Sequence, residues 1–243
     1  MPMVQPGDDL ARLIREALAR AGTRLQPGDV LVVAQKVVSK SEGRHARLAE
    51  VTPSGQAREI AASTGKDARL VELILSESRE VLRTRPNLVI VVHRLGYVMA
   101  NAGIDASNVE AQEGDPRVLL LPRDPDASCR RLRDELARTA GVAPTVIIND
   151  SVGRAWRQGT VGTALGAAGL PALMDLRGQP DLFERPLQVT QVGLADEIAA
   201  AASLLQGQAA EGTPVVLVRG LDLPAAEGGA DVLVRPAADD LFR

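Results

Sequence analysis

Apolar positions recur along this chain with two different periods, and the switches between them predict its elements. From Asp8 to Ala21 the apolar residues are Leu10, Leu13, Ile14, Ala17 and Leu18, spaced as one helical face, with Gly22 as a stop. Val30 to Val33 is a β-branched run and predicts a strand. Thr52-Pro53 joins a cap residue to a first-turn proline and predicts the opening of a second helix. Asp67 to Leu82 continues as helix, with Leu70, Leu73, Ile74 and Val81 at helical spacing. Further on, Leu88 to Val92 predicts a buried strand, Asp126 to Ala140 a helix, and Pro144 to Ile148 a strand that ends at polar residues. Ala195 to Leu205 predicts an alanine-rich helix leading to a strand over Val215 to Val218. Several strands are joined by short turns, such as that around Gly96, so the expected class is α+β with mixed sheets and flanking helices, not a doubly wound sheet. The Pro-, Asp- and Arg-rich segment 113–126 is where the chain is expected to cross between two interleaved subdomains of one unit, 1–243.

Composition narrows the class. With 243 residues, 45% apolar and 24% charged, the chain can bury a substantial core, and no apolar run approaches the roughly 20 residues that span a bilayer. The N-terminus carries no basic, apolar signal segment, so a cytoplasmic protein without a membrane partner is expected. A net charge of −3 and 2% aromatic content argue against nucleic-acid binding, which calls for a basic footprint and often stacking rings. A polyanionic ligand must then be met locally, by Lys36, Lys40, Arg44, Arg154 and Arg157, with metal ions adding positive charge. The single cysteine excludes an intrachain disulfide and a Cys-based zinc site; Cys129 shares a helical face with Leu132 and Leu136 and reads as a buried structural thiol.

Four polar clusters could carry chemistry. Asn149 to Gly159 follows an apolar strand with a carboxylate (Asp150), a hydroxyl (Ser151) and two guanidinium groups (Arg154, Arg157) around the only tryptophan, Trp156. Hard oxygens suit magnesium or manganese, and forked donors grip phosphate or carboxylate; on spacing alone, a surface turn whose Asp starts a helix explains the run equally well. Ala34 to Arg44 places three cations just past a strand, suited to phosphate or simply solvated, and it lacks a Gly-x-x-x-x-Gly-Lys signature. Asn101 to Asn108 is a polar loop in which Asp105 can supply a second metal carboxylate, or an Asx turn that caps only its own backbone. Asp196 and Glu197 at a helix start are explained by the helix dipole, and His45 and His93 read as structural. Gly65-Lys66 followed by Asp67 reads as a helix end and the next helix cap.

Together these blocks, Val33 to Arg44, Asn101 to Asn108, Asp150-Ser151 with Gly153-Arg154 and Trp156-Arg157, and Ala195 to Ala200, resemble the coenzyme F420:L-glutamate ligase family, in family order over nearly the whole chain. The resemblance implies a single ligase catalytic unit that attaches L-glutamate to coenzyme F420-0 in γ-linkage, using GTP and an acyl-phosphate intermediate. It implies Mg2+ or Mn2+, with K+ as a further requirement, and an intertwined homodimer with the nucleotide in a groove near the interface. By position, Asp105 and Asp150 match ligands of one divalent ion and Ser151 a ligand of a second. Gln208 stands where a family glutamate can reach that second ion, and its neutral amide weakens that site or yields to water. Gln35, Lys36, Lys40 and Asn108 match nucleotide contacts. So do the N-terminal Met1-Pro2-Met3-Val4 and the loop Leu204-Leu205-Gln206-Gly207-Gln208-Ala209-Ala210-Glu211. The strand that precedes this N-terminal segment in the family is not in the sequence, so either the start lies upstream or one sheet edge is incomplete. Arg154 or Arg157 is the expected catalytic cation for phosphate or a substrate carboxylate. A folate-type γ-glutamyl ligase, or a GTP-binding regulator without catalysis, would keep the same nucleotide and metal residues.

Overall fold

The valine run at Val30 lies at the centre of the molecule. The computed structural model describes residues 1–107 and 116–241. The first half carries α1 (Leu10–Arg20), β1 (Val30–Ala34), α2 (Gln35–Ser41), β2 (His45–Arg47), α3 (Gly55–Thr64), α4 (Ala68–Ser76), β3 (Ser78–Arg85), β4 (Leu88–His93) and β5 (Val98–Ala100). The second half carries β6 (Arg117–Leu119), α5 (Pro125–Ala140), β7 (Thr145–Arg154), β8 (Arg157–Ala168), β9 (Met174–Asp175), β10 (Gln191–Val192), α6 (Leu194–Gln206) and β11 (Val215–Val218).

Strand β1 is buried on both faces, and its period of two divides the core. Leu31 and Val33, with Val146 and Ile148 of β7, pack under α1 and α5; Val30, Val32 and Ile147 pack under α6. The sheet order is β11-β1-β7-β8, with β1 parallel to β7 and antiparallel to β11. A three-stranded antiparallel sheet, β3-β4-β5, is covered by α3 and α4, and β2 pairs with β6. The architecture is α+β with mixed sheets. Two glycines set the helix spacing on β8. A Cβ at Gly162 would lie 2.6 Å from Ala199 O of α6, and one at Gly166 would lie 2.5 Å from the Pro125 carbonyl carbon of α5.

The outer edge of β8 is closed by side chains rather than by another strand. Ala164 N donates to Asp196 Oδ1 at 2.8 Å, Ala167 N donates to Asp126 Oδ1 at 2.8 Å, and the Tyr97 hydroxyl donates to Leu165 O at 2.7 Å. Asp126 also accepts Ala230 N at 2.7 Å, which draws the C-terminal segment across this border.

Several boundaries differ from those the sequence predicts. Helix α3 is capped by Ser54, whose hydroxyl accepts Ala57 N, rather than by Thr52. The helix opened by Asp67 stops at Ser76, because residues 78–85 pair with the buried β4, with Val81 opposite Val91. The strand expected to end at Ile148 continues to Arg154, so the polar run Asn149–Arg154 is strand and not a loop. Within the expected crossing, 113–115 lies outside the described residues; the remainder holds β6 and the start of α5. Gly65, with φ 73°, ends α3, and Asp67 caps α4, as predicted.

Candidate active site

The end of β1 and the polar half of β7 meet because the two strands run parallel in register. Ala34 pairs with Asn149, so the chain leaves β1 into α2 beside Asp150. Lys36, near the start of α2, reaches across with its Nζ 2.7 Å from Asp105 Oδ2. Asp105 arrives from the segment after β5 and is fixed by exchanging both backbone hydrogen bonds with Leu119, at 3.0 and 2.8 Å. The Asp150 carboxylate accepts Ser151 N at 2.8 Å. Burial first, and the negative charge of Asp105 second, push the Asp150 carboxyl up to about 6, while Ser151 N–H and Lys36 pull it back. The two aspartates expected from separate loops therefore share one electrostatic neighbourhood with one ammonium.

Neighbouring side chains of an extended strand turn to opposite faces. Asn149 faces α6, donating from Nδ2 to Gln206 Oε1 at 2.6 Å, so Ser151 takes the α6 side and Asp150 the other. Gln206 in turn donates to Val32 O at 3.2 Å, fastening the end of α6 to the sheet. Beyond it, Gly207 has φ 72° and Glu211 folds back over it, accepting Ala209 N at 2.8 Å; a Cβ at 207 would lie 2.1 Å from Glu211 Cδ. Backbone N–H groups of Glu211, Ala209 and Gln208 hold that carboxyl below its ordinary range. The loop thus gathers its amides around its own Glu211 carboxylate. Gln208 is exposed on it, as are Leu204, Leu205 and Ala210.

Around α2, Gln35 is buried and donates to Ser39 Oγ at 2.8 Å, while its Oε1 has no partner among the described residues. Lys40 is buried in the same helix. The N-terminal segment runs alongside, with Val4 buried in the core, Pro2 and Met3 exposed, and Gly7 N donating to Ser41 O at 2.8 Å. Asn108 lies outside the described residues.

Other expectations separate. Arg44 is not a spare cation for phosphate: it pairs with Glu77 at 3.0 Å and donates to Leu121 O at 2.7 Å. Glu77 also accepts Arg94 Nε at 2.9 Å and faces His93 Nε2 at 3.6 Å, a buried cluster that the sequence reading missed. Nothing in sequence signals it, because its members come from three separate segments. Arg154 and Arg157 pair across the β7–β8 hairpin end and are exposed, Arg154 donating to Gly159 O at 3.1 Å. Arg154 is about 13 Å along the strand from Asp150, at ~3.3 Å per residue, so within one chain the arginines do not converge with the aspartates. Trp156, between them, has φ 64° and is 85% exposed, so it neither packs in the core nor lies beside Asp150.

Among the described residues, no three His, Cys, Asp or Glu side chains gather around one point. A two-carboxylate set suits a hard cation that completes its shell with water and phosphate oxygens. Cavities of about 310 Å³ beside Tyr97 and Asp126, and about 520 Å³ beside Arg15 and Thr139, lie elsewhere. Among the described residues no helix is long and apolar enough to cross a membrane.

Comparison with known proteins matches residues 1–220 to the family model described as F420-0:Gamma-glutamyl ligase. This chain belongs to that family. It is similar to the coenzyme F420:L-glutamate ligase of Methanopyrus kandleri, with 48% identity over 99% of this chain and 93% of that protein. The corresponding ligases of Methanothermobacter thermautotrophicus and Archaeoglobus fulgidus are each 46% identical over all of this chain, covering 96% and 93% of their own lengths. Membership in the ligase family thus extends over the segments that carry Lys36, Asp105, Asp150 and the loop after α6.

Proposed function

We propose that this chain is a ligase that joins L-glutamate to coenzyme F420-0 in γ-linkage, at the expense of GTP. The observation that carries the reading is the approach of Asp105 and Asp150, from different parts of the chain, to one position shared with Lys36. The acceptor carboxylate attacks the γ-phosphorus of GTP; the bond from that phosphorus to the β–γ bridging oxygen breaks and GDP leaves. The glutamate amine then attacks the acyl carbon, the bond to the phosphate oxygen breaks, inorganic phosphate leaves, and the amine loses a proton to solvent. Magnesium or manganese held by Asp105 and Asp150 would neutralise charge on the triphosphate during the transfer. The protein's own part is positioning: Lys36 and Lys40 supply positive charge for the triphosphate. Ser151, on the α6 side of β7, and Gln208, on the loop after α6, are the residues for a second ion, which the neutral amide of Gln208 would hold weakly or leave to water.

The family's homodimer fits an exposed hairpin that carries Arg154, Trp156 and Arg157. Within one chain these arginines stand apart from Asp150, and in a dimer they serve a neighbouring subunit's groove. The test is incubation with GTP, labelled glutamate and F420-0, with mass detection. The wild-type chain forms glutamyl F420, whereas Asp150→Asn falls below about 1% of its turnover, as loss of a metal ligand demands. Unchanged turnover of that variant at saturating Mn2+ overturns the assignment. Product on a folate acceptor instead, or tight GTP binding without phosphate release on either acceptor, selects the folate ligase or the regulator.

A further inference from the structure

Resting on that reading of the two aspartates, the geometry points to Lys36 as the resident cation of the site: its ammonium stands where a divalent ion would bind, and ion uptake requires it to withdraw. Lys36 Nζ lies 2.7 Å from Asp105 Oδ2, a full ion-pair contact. Among the described residues Lys36 is the only cation paired with Asp105, and Asp150 has no ion pair of its own. Two carboxylates with one ammonium carry one net negative charge, and with a divalent ion they are neutral. Holding both cations at one position would place like charges in contact, so the two exclude each other.

The side chain is built to leave. Lys36 is on the second residue of a seven-residue helix and its side chain is partly exposed at 30%, which leaves its flexible four-carbon stem a path toward solvent. An arginine there would hold a carboxylate with a rigid fork; lysine gives a single point charge that releases more easily. Once displaced, the ammonium is free to meet an anionic ligand. Ion and triphosphate therefore assist each other through this side chain, and the coupling is reciprocal.

The test compares wild-type protein with Lys36→Met, measuring Mn2+ affinity by electron paramagnetic resonance of free Mn2+, with and without GDP. Without nucleotide, the variant binds Mn2+ about ten-fold more tightly, since the competing charge is gone; adding GDP strengthens Mn2+ binding in the wild type more than in the variant. Equal or weaker Mn2+ binding by the variant overturns the inference. A second measurement uses only the wild-type protein. The rate at which an amine-acetylating reagent modifies Lys36, read by mass spectrometry, rises several-fold when Mg2+ is added without nucleotide, and an unaltered rate overturns the inference. If the wild-type protein takes up no Mn2+ even with GTP, the metal assignment itself falls, and this inference with it. If it does, and neither readout moves, Lys36 alone is refuted.

Discussion

At neutral pH Asp150 carries a charge that its surroundings disfavour. Its carboxyl sits at about 6 against an ordinary 3.8, so between these values the folded protein holds a proton that the unfolded chain has released. Folding is therefore opposed by this residue, fully above pH 6 and not at all below 3.8. The cost is on the order of 2–3 kcal/mol. Asp150→Asn, stripped of divalent ions with EDTA, should melt several degrees above the wild type at pH 7.5, and the gap should close near pH 4. A variant that melts no higher would show that the charge is already compensated. Single residues of this site were legible: Asp105, Asp150 and Lys36 stand out by type and position. Their pairing was not, because no local spacing links Lys36 to Asp105, and Arg44 looked like a free cation only because Glu77 is remote in sequence.

Elements were legible where one pattern operated alone. Helix α1 and strands β1, β4 and β11 fall within two residues of their predicted bounds, each with a cap or a β-branched run to mark it. The failures came where pairing overruled spacing: Val81 fits a helical stripe yet lies in β3, drawn there by β4. At that same junction Glu77 ties α4 to Arg44, Arg94 and the end of β4. The two guanidiniums and His93 hold its carboxyl down at about 2 despite burial, against an ordinary 4.5. A depressed carboxyl stabilises the fold fully above pH 4.5, and that contribution drains away as pH falls toward 2. Urea midpoints should therefore drop between pH 5 and 3 in the wild type. Glu77→Gln should be weaker by about 3 kcal/mol at pH 7, with two arginines left without their carboxylate, and should lose less further stability than the wild type over the acid range. A variant with the wild-type acid slope would move that slope to other carboxylates.

Across the whole molecule, the α+β class with mixed sheets was readable from the order of elements, whereas the reach of the β7–β8 hairpin was not. Its polar residues resemble a loop because both faces of the ribbon beyond Val152 meet solvent, so no apolar alternation survives to mark it. An 85% exposed tryptophan on such a ribbon is the strongest single candidate for a subunit contact. If the hairpin forms the proposed dimer contact, Trp156→Arg should shift the sedimenting species toward monomer, and wild-type tryptophan emission should move to shorter wavelength as protein concentration rises. Sedimentation identical in both proteins would remove the hairpin from the interface. The opposite border of β8 behaves otherwise. Asp126 and Asp196 occupy the amide hydrogens of Ala167 and Ala164, so an incoming strand finds those two donors already taken. Two acids thus do for the middle of this edge what a further strand would do, and they draw α5, α6 and the C-terminal segment onto it.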